Sequence, residues 1–484
     1  MRLPDKLTPL SVWTYFEDIC QIPRPSKREE KIIKFLLDFA KLNNLSAKKD
    51  EAGNVLISKP ATNGKERVDT IVLQSHVDMV CEQNSDTIHD FDNDPIIPVV
   101  DGEWVTAEGT TLGADCGIGM AAQMAVLTSD NLEHGPIECL FTVDEETGLS
   151  GAFALKSGFL RGKTLLNLDS EDEGELFIGC AGGIDTIATM SFNKVPAPEN
   201  FFALKISVKG LLGGHSGDDI NKGRGNAIKI LNRFLWQIQD KYDLYLSEFN
   251  GGNLRNAIAR EAYAVIMVPA NFKESITVDF NMYRGEIENE ILINEPNVKL
   301  VLESIEEKPE FVIDKDNMVR FISAIYACPH GVISMSSRMP GMVETSTNLA
   351  SVKFSDNKIV FTTSQRSDLK SGKYDACAMV ASVFFLAGAE IEHSDGYPGW
   401  TPNPDSKILE ISKNSYKKLF NVEPVVRSIH AGLECGLFLE KYPGMDMISF
   451  GPTLRGVHSP DEKIEINSVD KFWRHLVDVI GSVE

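Results

Sequence analysis

Short apolar runs that stop on acidic or histidine residues recur along the first third of this chain. Residues 70–75 (Thr-Ile-Val-Leu-Gln-Ser) are apolar and β-branched and predict a buried strand, with His76 and Asp78 where it ends. Residues 137–143 repeat the pattern and run into Asp144, Glu145 and Glu146. Residues 164–168 do so again and deliver Asp169. Between the first two runs, Gly113, Gly117 and Gly119 permit a tight turn, and the Ala/Met-rich stretch that follows predicts a helix. Asp115 then lies at or just before that helix's N-terminus, where the macrodipole favours the ionised form. Polar residues that follow several successive strands mark the usual site of an open α/β sheet.

Elsewhere the pattern predicts helices followed by a strand in the first sixty residues, where nothing catalytic stands out. Strands are expected at 201–208, 263–268 and 298–304, helices at 226–235 and 374–387, and a hairpin over 350–361 that turns at Asp356 and Asn357. The tail reads as a helix at 408–420, a strand at 424–429, a helix at 433–441 and a strand at 447–450, after which the loop 451–460 carries His458. The first four motifs lie before about residue 185 and the fifth surrounds His458, so one domain has to be built from both chain ends. The expectation is an α/β protein with residues 1–185 plus 399–484 as a metal-binding catalytic domain, a mixed sheet flanked by helices. Residues 186–398 would form an inserted second α/β domain, whose two strand–helix passages hint at a duplication.

The residue types define the chemistry. His76 and Asp78 are two apart on an extended segment and face the same side, so His76 can bind a cation while Asp78 orients its ring from behind. Asp115 has two free oxygens and can bridge two cations. Glu145 and Glu146, read as adjacent positions of an extended segment, point to opposite sides; one is free to bind metal and the other to take a proton from water. Imidazole and carboxylate ligands suit zinc, cobalt or manganese.

Composition narrows the class. At 484 residues the chain is too long for one ordinary core. The net charge of −22, from 48 basic and 70 acidic residues, argues against a nucleic-acid partner. No apolar run reaches about 18 residues and no leader with a small-residue cleavage site is visible, which points to a cytoplasmic protein without a membrane partner. The eight cysteines have no metal-binding spacing and read as reduced thiols, with no disulfides expected. Cys116 beside Asp115 is the one candidate nucleophile among them. The segment Gly214-His215-Ser216-Gly217-Asp218 departs from the serine-hydrolase elbow, since Asp218 stands where that motif has glycine.

Taken together, the HxD, GxD, EE and late-His motifs resemble the M20 family of co-catalytic zinc peptidases over essentially the whole length, most closely its aminoacyl-histidine dipeptidase branch. The resemblance implies two Zn2+ per chain, with Co2+ or Mn2+ able to substitute. His76 and Asp169 would complete one site, Glu146 and His458 the other, and Asp115 would bridge them. It makes Glu145 the general base, Asp78 the orienting acid and His215 the oxyanion donor, while Asn256, Arg366 and Gly432 hold the peptide. It implies hydrolysis of dipeptides with a free C-terminal carboxylate, Xaa-His and β-alanyl-histidine types included, by a hydroxide that the zinc pair activates, in a homodimer, with residues 186–398 as the lid, substrate and dimerisation domain. Other M20 activities, those of an aminoacylase, carboxypeptidase or tripeptidase, stay open, as does a non-catalytic peptide-binding relative.

Overall fold

In the computed structural model, the described residues are Leu3 and residues 6–483. They cluster into two compact units. One takes the residues up to Gly179, Trp400–Ser428 and those from Leu433 onward; the other takes Cys180–Gly399 and Ile429–Gly432.

The first unit is built on an eight-stranded sheet in the order Ser46–Lys49, Val55–Lys59, Ile137–Thr142, Ile71–His76, Thr164–Asn167, Asp446–Ser449, Glu175–Cys180, Val425–Ile429. Ile71–His76 pairs in parallel with both Ile137–Thr142 and Thr164–Asn167, and Asp446–Ser449 extends the parallel set. Ile71–His76 and Ile137–Thr142 are buried at every position, which explains why their sequences are runs rather than alternations. Register places His76 opposite Thr142 and Gln74 opposite Asn167, so the segments leaving these strands emerge along one sheet edge. The helix Ala114–Thr128 packs on Ile71–His76 and on the helix Leu10–Cys20. It is buried all round, which its Ala/Met/Leu composition allows, and its Gln123 donates to Ser75 Oγ at 2.6 Å. A four-stranded sheet, Leu454–Arg455, Lys463–Glu465, Trp104–Ala107 and Pro98–Asp101, holds both ends of the loop that carries His458.

The second unit contains a sheet with Lys299–Ile305, Phe201–Lys209, Ala262–Pro269, Tyr245–Gly251, Val343–Ser355, Lys358–Ser367, Gly182–Ser191 and Glu390–His393 in that order, with Gly331–Met335 added beside Val343–Ser355. Two halves follow one plan. Phe201–Lys209, the helix Ala227–Ile238, Tyr245–Gly251, Ala262–Pro269, the helix Lys273–Ile291 and Lys299–Ile305 run strand, helix, strand, strand, helix, strand. Gly182–Ser191, the helix Lys315–Ala327, Val343–Ser355, Lys358–Ser367, the helix Lys370–Leu386 and Glu390–His393 do the same. Read outward from the Gly251–Val352 pairing, both halves place their second, third, first and fourth strands in that order. Side chains from all four helices share one core with the sheet, centred on Phe234, Phe321, Phe361 and Phe384.

Several elements depart from the sequence reading. Gly182–Ser191, Tyr245–Gly251, Lys273–Ile291 and Lys315–Ala327 were not foreseen, and Lys370–Leu386 starts four residues before the expected 374. The helix Lys273–Ile291 buries only Ile276, Phe280, Tyr283 and Ile287, so its apolar stripe is narrow and its polar face obscures the period. The hairpin turn at Asp356 and Asn357 is present, with Asp356 at φ 52°.

Candidate metal centre

Each motif side chain leaves a different element of the first unit, and the strand register brings them together. His76 is the last residue of its strand, Asp169 lies two residues beyond Thr164–Asn167, and Asp115 sits in non-helical backbone at the head of the helix Ala114–Thr128. The two glutamates are not extended, in contrast to the sequence reading: Glu145–Gly148 is a short helix entered through Asp144 at φ 51°. Their divergence therefore comes from the turn of a helix rather than from pleat alternation. His458 arrives from the far end of the chain in the left-handed region, at φ 62°.

His76 Nε2 lies 3.1 Å from Asp115 Oδ1 and 3.3 Å from Asp169 Oδ1. His458 Nε2 lies 3.3 Å from the other oxygen, Asp115 Oδ2, and 3.0 Å from Glu146 Oε2. Asp115 thus turns one oxygen to each histidine. Tetrahedral zinc with ligands at about 2.0–2.1 Å spaces its ligand atoms about 3.3 Å apart, and these four nitrogen–oxygen separations match that spacing. Glu146 Oε1 is buried without a hydrogen-bond partner, and Asp169 Oδ1 has only the 3.3 Å approach of His76 Nε2, a costly arrangement unless a cation meets them. Cys116 also falls within range of His76 and Asp169, but its Sγ donates to Leu168 O at 3.3 Å and burial, helped by Asp169, keeps the thiol protonated. Its hydrogen is thus turned to a backbone carbonyl, which argues against Cys116 as a nucleophile. All eight cysteines are free.

Charge balance in the cluster points the same way. The carboxylates of Asp115 and Glu146 hold His458 up to about 11 against its partial burial. Burial opposes charge on His76, yet Asp169 and the bonds to Asp115 outweigh it and keep the ring protonated well above its usual range. Burial would raise Asp115, but the two imidazoles hold it far below the ordinary carboxylate range. Glu145 shows the opposite balance. Burial, offset in part by His76, and the nearby Asp169, Glu434 and Glu146 push its carboxyl well up, as suits a group that accepts a proton.

Asp78 joins two motifs. Its Oδ1 stands 3.4 Å from His76 Nδ1 and accepts the N–H of Glu145 at 3.0 Å, while Oδ2 accepts from Ser26 Oγ at 2.8 Å and from Glu146 N at 3.2 Å. Burial pushes the Asp78 carboxyl up, but these bonds, led by His76, hold it at about 2. Three supporting groups escaped the sequence reading. Glu434 is fully buried and accepts from Gln74 Nε2 at 2.6 Å and Thr142 Oγ1 at 2.8 Å, linking the two strands that end in His76 and the glutamates. Arg24 and Glu462 both grip the turn before Asp115. Only Glu462 carried a signal, as an acid four residues after His458.

The second unit places the other expected groups as follows. His215 Nδ1 accepts the N–H of Gly217 at 3.3 Å and of Asp218 at 3.2 Å, which favours the tautomer with its proton on Nε2. Burial and the Arg366 cation keep this ring neutral by lowering its pKa. Arg366 donates to Tyr397 Oη at 2.8 Å and Ser216 Oγ at 3.3 Å, and its Nη2 lies 3.5 Å from His215 Nε2. Asn256 has an exposed side chain, and its carbonyl accepts Ser216 N–H at 2.8 Å, tying its loop to that of His215. Gly432 lies against Tyr397, where an added Cβ would come within 2.8 Å of the ring. Tyr397 is the member of this group that sequence reasoning missed.

The model of peptidase family M20/M25/M40 matches residues 72–482. The chain is 45% identical to the cytosol non-specific dipeptidase of Escherichia coli (strain K12), over 99% of this chain and 98% of the relative. Its fold superposes on the crystal structure of aminoacylhistidine dipeptidase from Vibrio alginolyticus with a TM-score of 0.92 and 46% identity, covering 99% and 98% of the two chains. A tripeptidase from Staphylococcus aureus shares the fold at a TM-score of 0.58 and 17% identity, each chain covered to 99%. With that family model spanning most of its length and a relative 45% identical along nearly all of it, this chain belongs to peptidase family M20/M25/M40 and is a peptide-bond hydrolase.

Proposed function

We propose that this peptidase hydrolyses dipeptides with a free C-terminal carboxylate, Xaa-His dipeptides of the β-alanyl-histidine type among them, and that it works with two zinc ions, which Co2+ or Mn2+ can replace. The observation that carries the dipeptide reading is the pair of relatives matched along nearly the whole chain, both bearing dipeptidase names. One of those names is non-specific, which favours a second reading: a dipeptidase with no preference for histidine.

His76 and Asp169 would hold one cation and Glu146 and His458 the other, with Asp115 shared between them. The nitrogen–oxygen spacings of 3.0–3.3 Å and the orphaned carboxylate oxygens support this assignment. Bound there, the cations supply positive charge that polarises a carbonyl and acidifies water. Glu145 takes the proton of the attacking water on its carboxylate and passes it to the leaving amine nitrogen. Asp78 holds the His76 ring through Nδ1. His215 donates from Nε2 to the oxygen that becomes negative as the carbonyl carbon turns tetrahedral. Arg366 binds the free carboxylate through its planar fork, and Asn256 and the Gly432 backbone hold the peptide. Residues 1–185 with 399–484 act as the catalytic domain, residues 186–398 as the lid, and the active form is a homodimer. A cytoplasmic location is supported by the name of the Escherichia coli relative, and no described helix is long and apolar enough to cross a membrane.

The test is a panel of β-alanyl-histidine, glycyl-histidine, glycyl-leucine, a tripeptide and an N-acetyl amino acid, assayed before and after chelation with zinc added back. Cleavage of dipeptides that stops with chelator and returns with zinc is the expected result. Equal rates on glycyl-leucine select the non-specific reading, cleavage of the acetylated substrate alone rejects dipeptidase activity, and indifference to chelator rejects the metals. Glu145→Gln should keep two metal equivalents and lose nearly all turnover; a wild-type rate would remove Glu145 as the base.

A further inference from the structure

We infer that Arg24 and Glu462 form a buried clamp that positions Asp115, and so set the affinity and geometry of both cation sites at once. The inference rests on the metal reading above. Arg24 is 2% exposed and Glu462 is 2% exposed, so each charged group has left water and has to be matched by local partners. Arg24 Nη1 donates to the carbonyls of Val77 at 2.9 Å and Asp78 at 2.8 Å, and Nη2 donates to the carbonyl of Gly113. One guanidinium therefore holds the backbone beside His76 and the backbone before Asp115. From the other side of the hydrogen-bond ledger, Glu462 Oε2 accepts the N–H groups of Leu112 at 2.7 Å and Gly113 at 2.9 Å, and Oε1 accepts those of Ala114 at 2.8 Å and Asp115 at 3.3 Å. Four consecutive amides converge on one carboxylate.

The turn is shaped to admit this clamp. Gly113 sits at φ 70°, and a Cβ there would approach Arg24 Nη2 to 2.6 Å; one on Gly117 would approach the same atom to 2.7 Å. Both glycines leave room for the guanidinium, which accounts for two of the glycines in Leu-Gly-Ala-Asp-Cys-Gly. Neither Arg24 nor Glu462 is among the proposed ligands, so their contribution is positional. Because Asp115 turns an oxygen toward each histidine, a shift of its backbone disturbs two sites rather than one.

Glu462→Gln is the sharp test. A glutamine is nearly isosteric but has one acceptor oxygen, so in either orientation two of the four N–H groups face an NH2. Metal-free wild type, Glu462→Gln, Arg24→Lys and the comparison variant His458→Ala are titrated with Co2+ against a chromophoric chelator, and the cobalt absorption spectrum is recorded at saturation. The expectation is that Glu462→Gln and Arg24→Lys each lose affinity for both equivalents together, by about 10–100-fold, the range for groups that orient metal ligands. Their saturated spectra should differ from wild type, whereas His458→Ala should lose one equivalent only. A role limited to fold stability would lower the thermal midpoint and leave the saturated spectrum unchanged, and that outcome, or wild-type affinity in both variants, overturns the clamp. If Glu462→Gln does not fold, Arg24→Lys alone decides. Fewer than two equivalents bound by wild type would reject the metal reading and the clamp with it.

Discussion

Replacing Asp78 by asparagine should loosen the glutamate-bearing turn by an amount the hydrogen bonds allow to be worked out. Asparagine keeps the shape of the side chain but has a single acceptor oxygen. With that oxygen in the place of Oδ2, the bonds from Ser26 Oγ and Glu146 N survive, while the NH2 group faces the N–H of Glu145 and Nδ1 of His76. One half-buried backbone donor is left without an acceptor, which costs about 1–3 kcal/mol. An independent route leads to a similar figure. Holding the Asp78 carboxyl at about 2 rather than its usual 3.8 stabilises the folded state by about 2 kcal/mol at neutral pH. The contribution of a carboxyl lowered in this way is whole above the unfolded value and disappears as pH falls through 2, so it is fully present at pH 7. The two routes count overlapping interactions, and together they set the loss at about 2–3 kcal/mol rather than their sum. Hydrogen–deuterium exchange of the metal-free protein at pH 7 reads it directly: amides in residues 143–150 should exchange about 30- to 150-fold faster in Asp78→Asn, at 1.36 kcal/mol per decade. Amides of the strand Lys358–Ser367 in the other unit should be unchanged. Wild-type protection across residues 143–150 in a folded variant would refute the reasoning that Asp78 holds this turn.

Arg366→Lys should raise KM for a free dipeptide by about 10–100-fold, since a fork of two charged hydrogen bonds becomes one point contact. The same variant should change little on a C-terminally amidated substrate, and equal effects on both would remove Arg366 as the carboxylate binder. Titrating zinc into metal-free protein at pH 7 with an indicator dye should release at least one proton per chain, because Asp115 and Glu146 keep His458 protonated up to about 11. A raised histidine stabilises the metal-free fold below its unfolded value and loses that effect only as pH rises through 11, so zinc affinity should climb steadily from pH 6 to 9; uptake without proton release would contradict the pairing. Asn226 Oδ1 accepts from Ile228 N at 3.0 Å and Lys229 N at 3.2 Å, and its Nδ2 donates to Leu349 O at 2.8 Å. Asn226→Ala should cost about 1–2 kcal/mol, read as a lower denaturation midpoint for the second unit, and a midpoint equal to wild type would show that the cap is dispensable.

Legibility followed burial pattern. Residues 70–75 and 137–143 are apolar without interruption because both faces of those strands are covered, and the structure has Ile71–His76 and Ile137–Thr142 there. The strand Gly182–Ser191 was not foreseen: its Gly-Gly start and scattered Asp, Thr and Ser residues give the weak signal of a strand with one covered face. Lys273–Ile291 was lost for a related reason, since four buried residues in nineteen leave a mostly polar helix. The Glu145–Glu146 pair shows how a correct inventory can carry a wrong local geometry. Nothing in Asp-Glu-Glu-Thr-Gly separates a strand extension from a helical turn, and the outcome depends on Asp78, sixty-seven residues away, accepting the N–H groups of both glutamates.

From the sequence alone came the alternation of strands and helices, the acidic and histidine residues at strand ends, and the resemblance that those motifs carry. Only the tertiary structure decided which oxygen of Asp115 faces which histidine, that Arg24, Glu434 and Glu462 support the cluster, and that the second unit repeats one six-element plan around Gly251 and Val352. The physical reason is range. Periodicity and strand-end chemistry are written in neighbouring residues, whereas a buried charge acquires its role from partners such as Glu462 and Leu112, 350 positions apart, that meet only when the chain is folded.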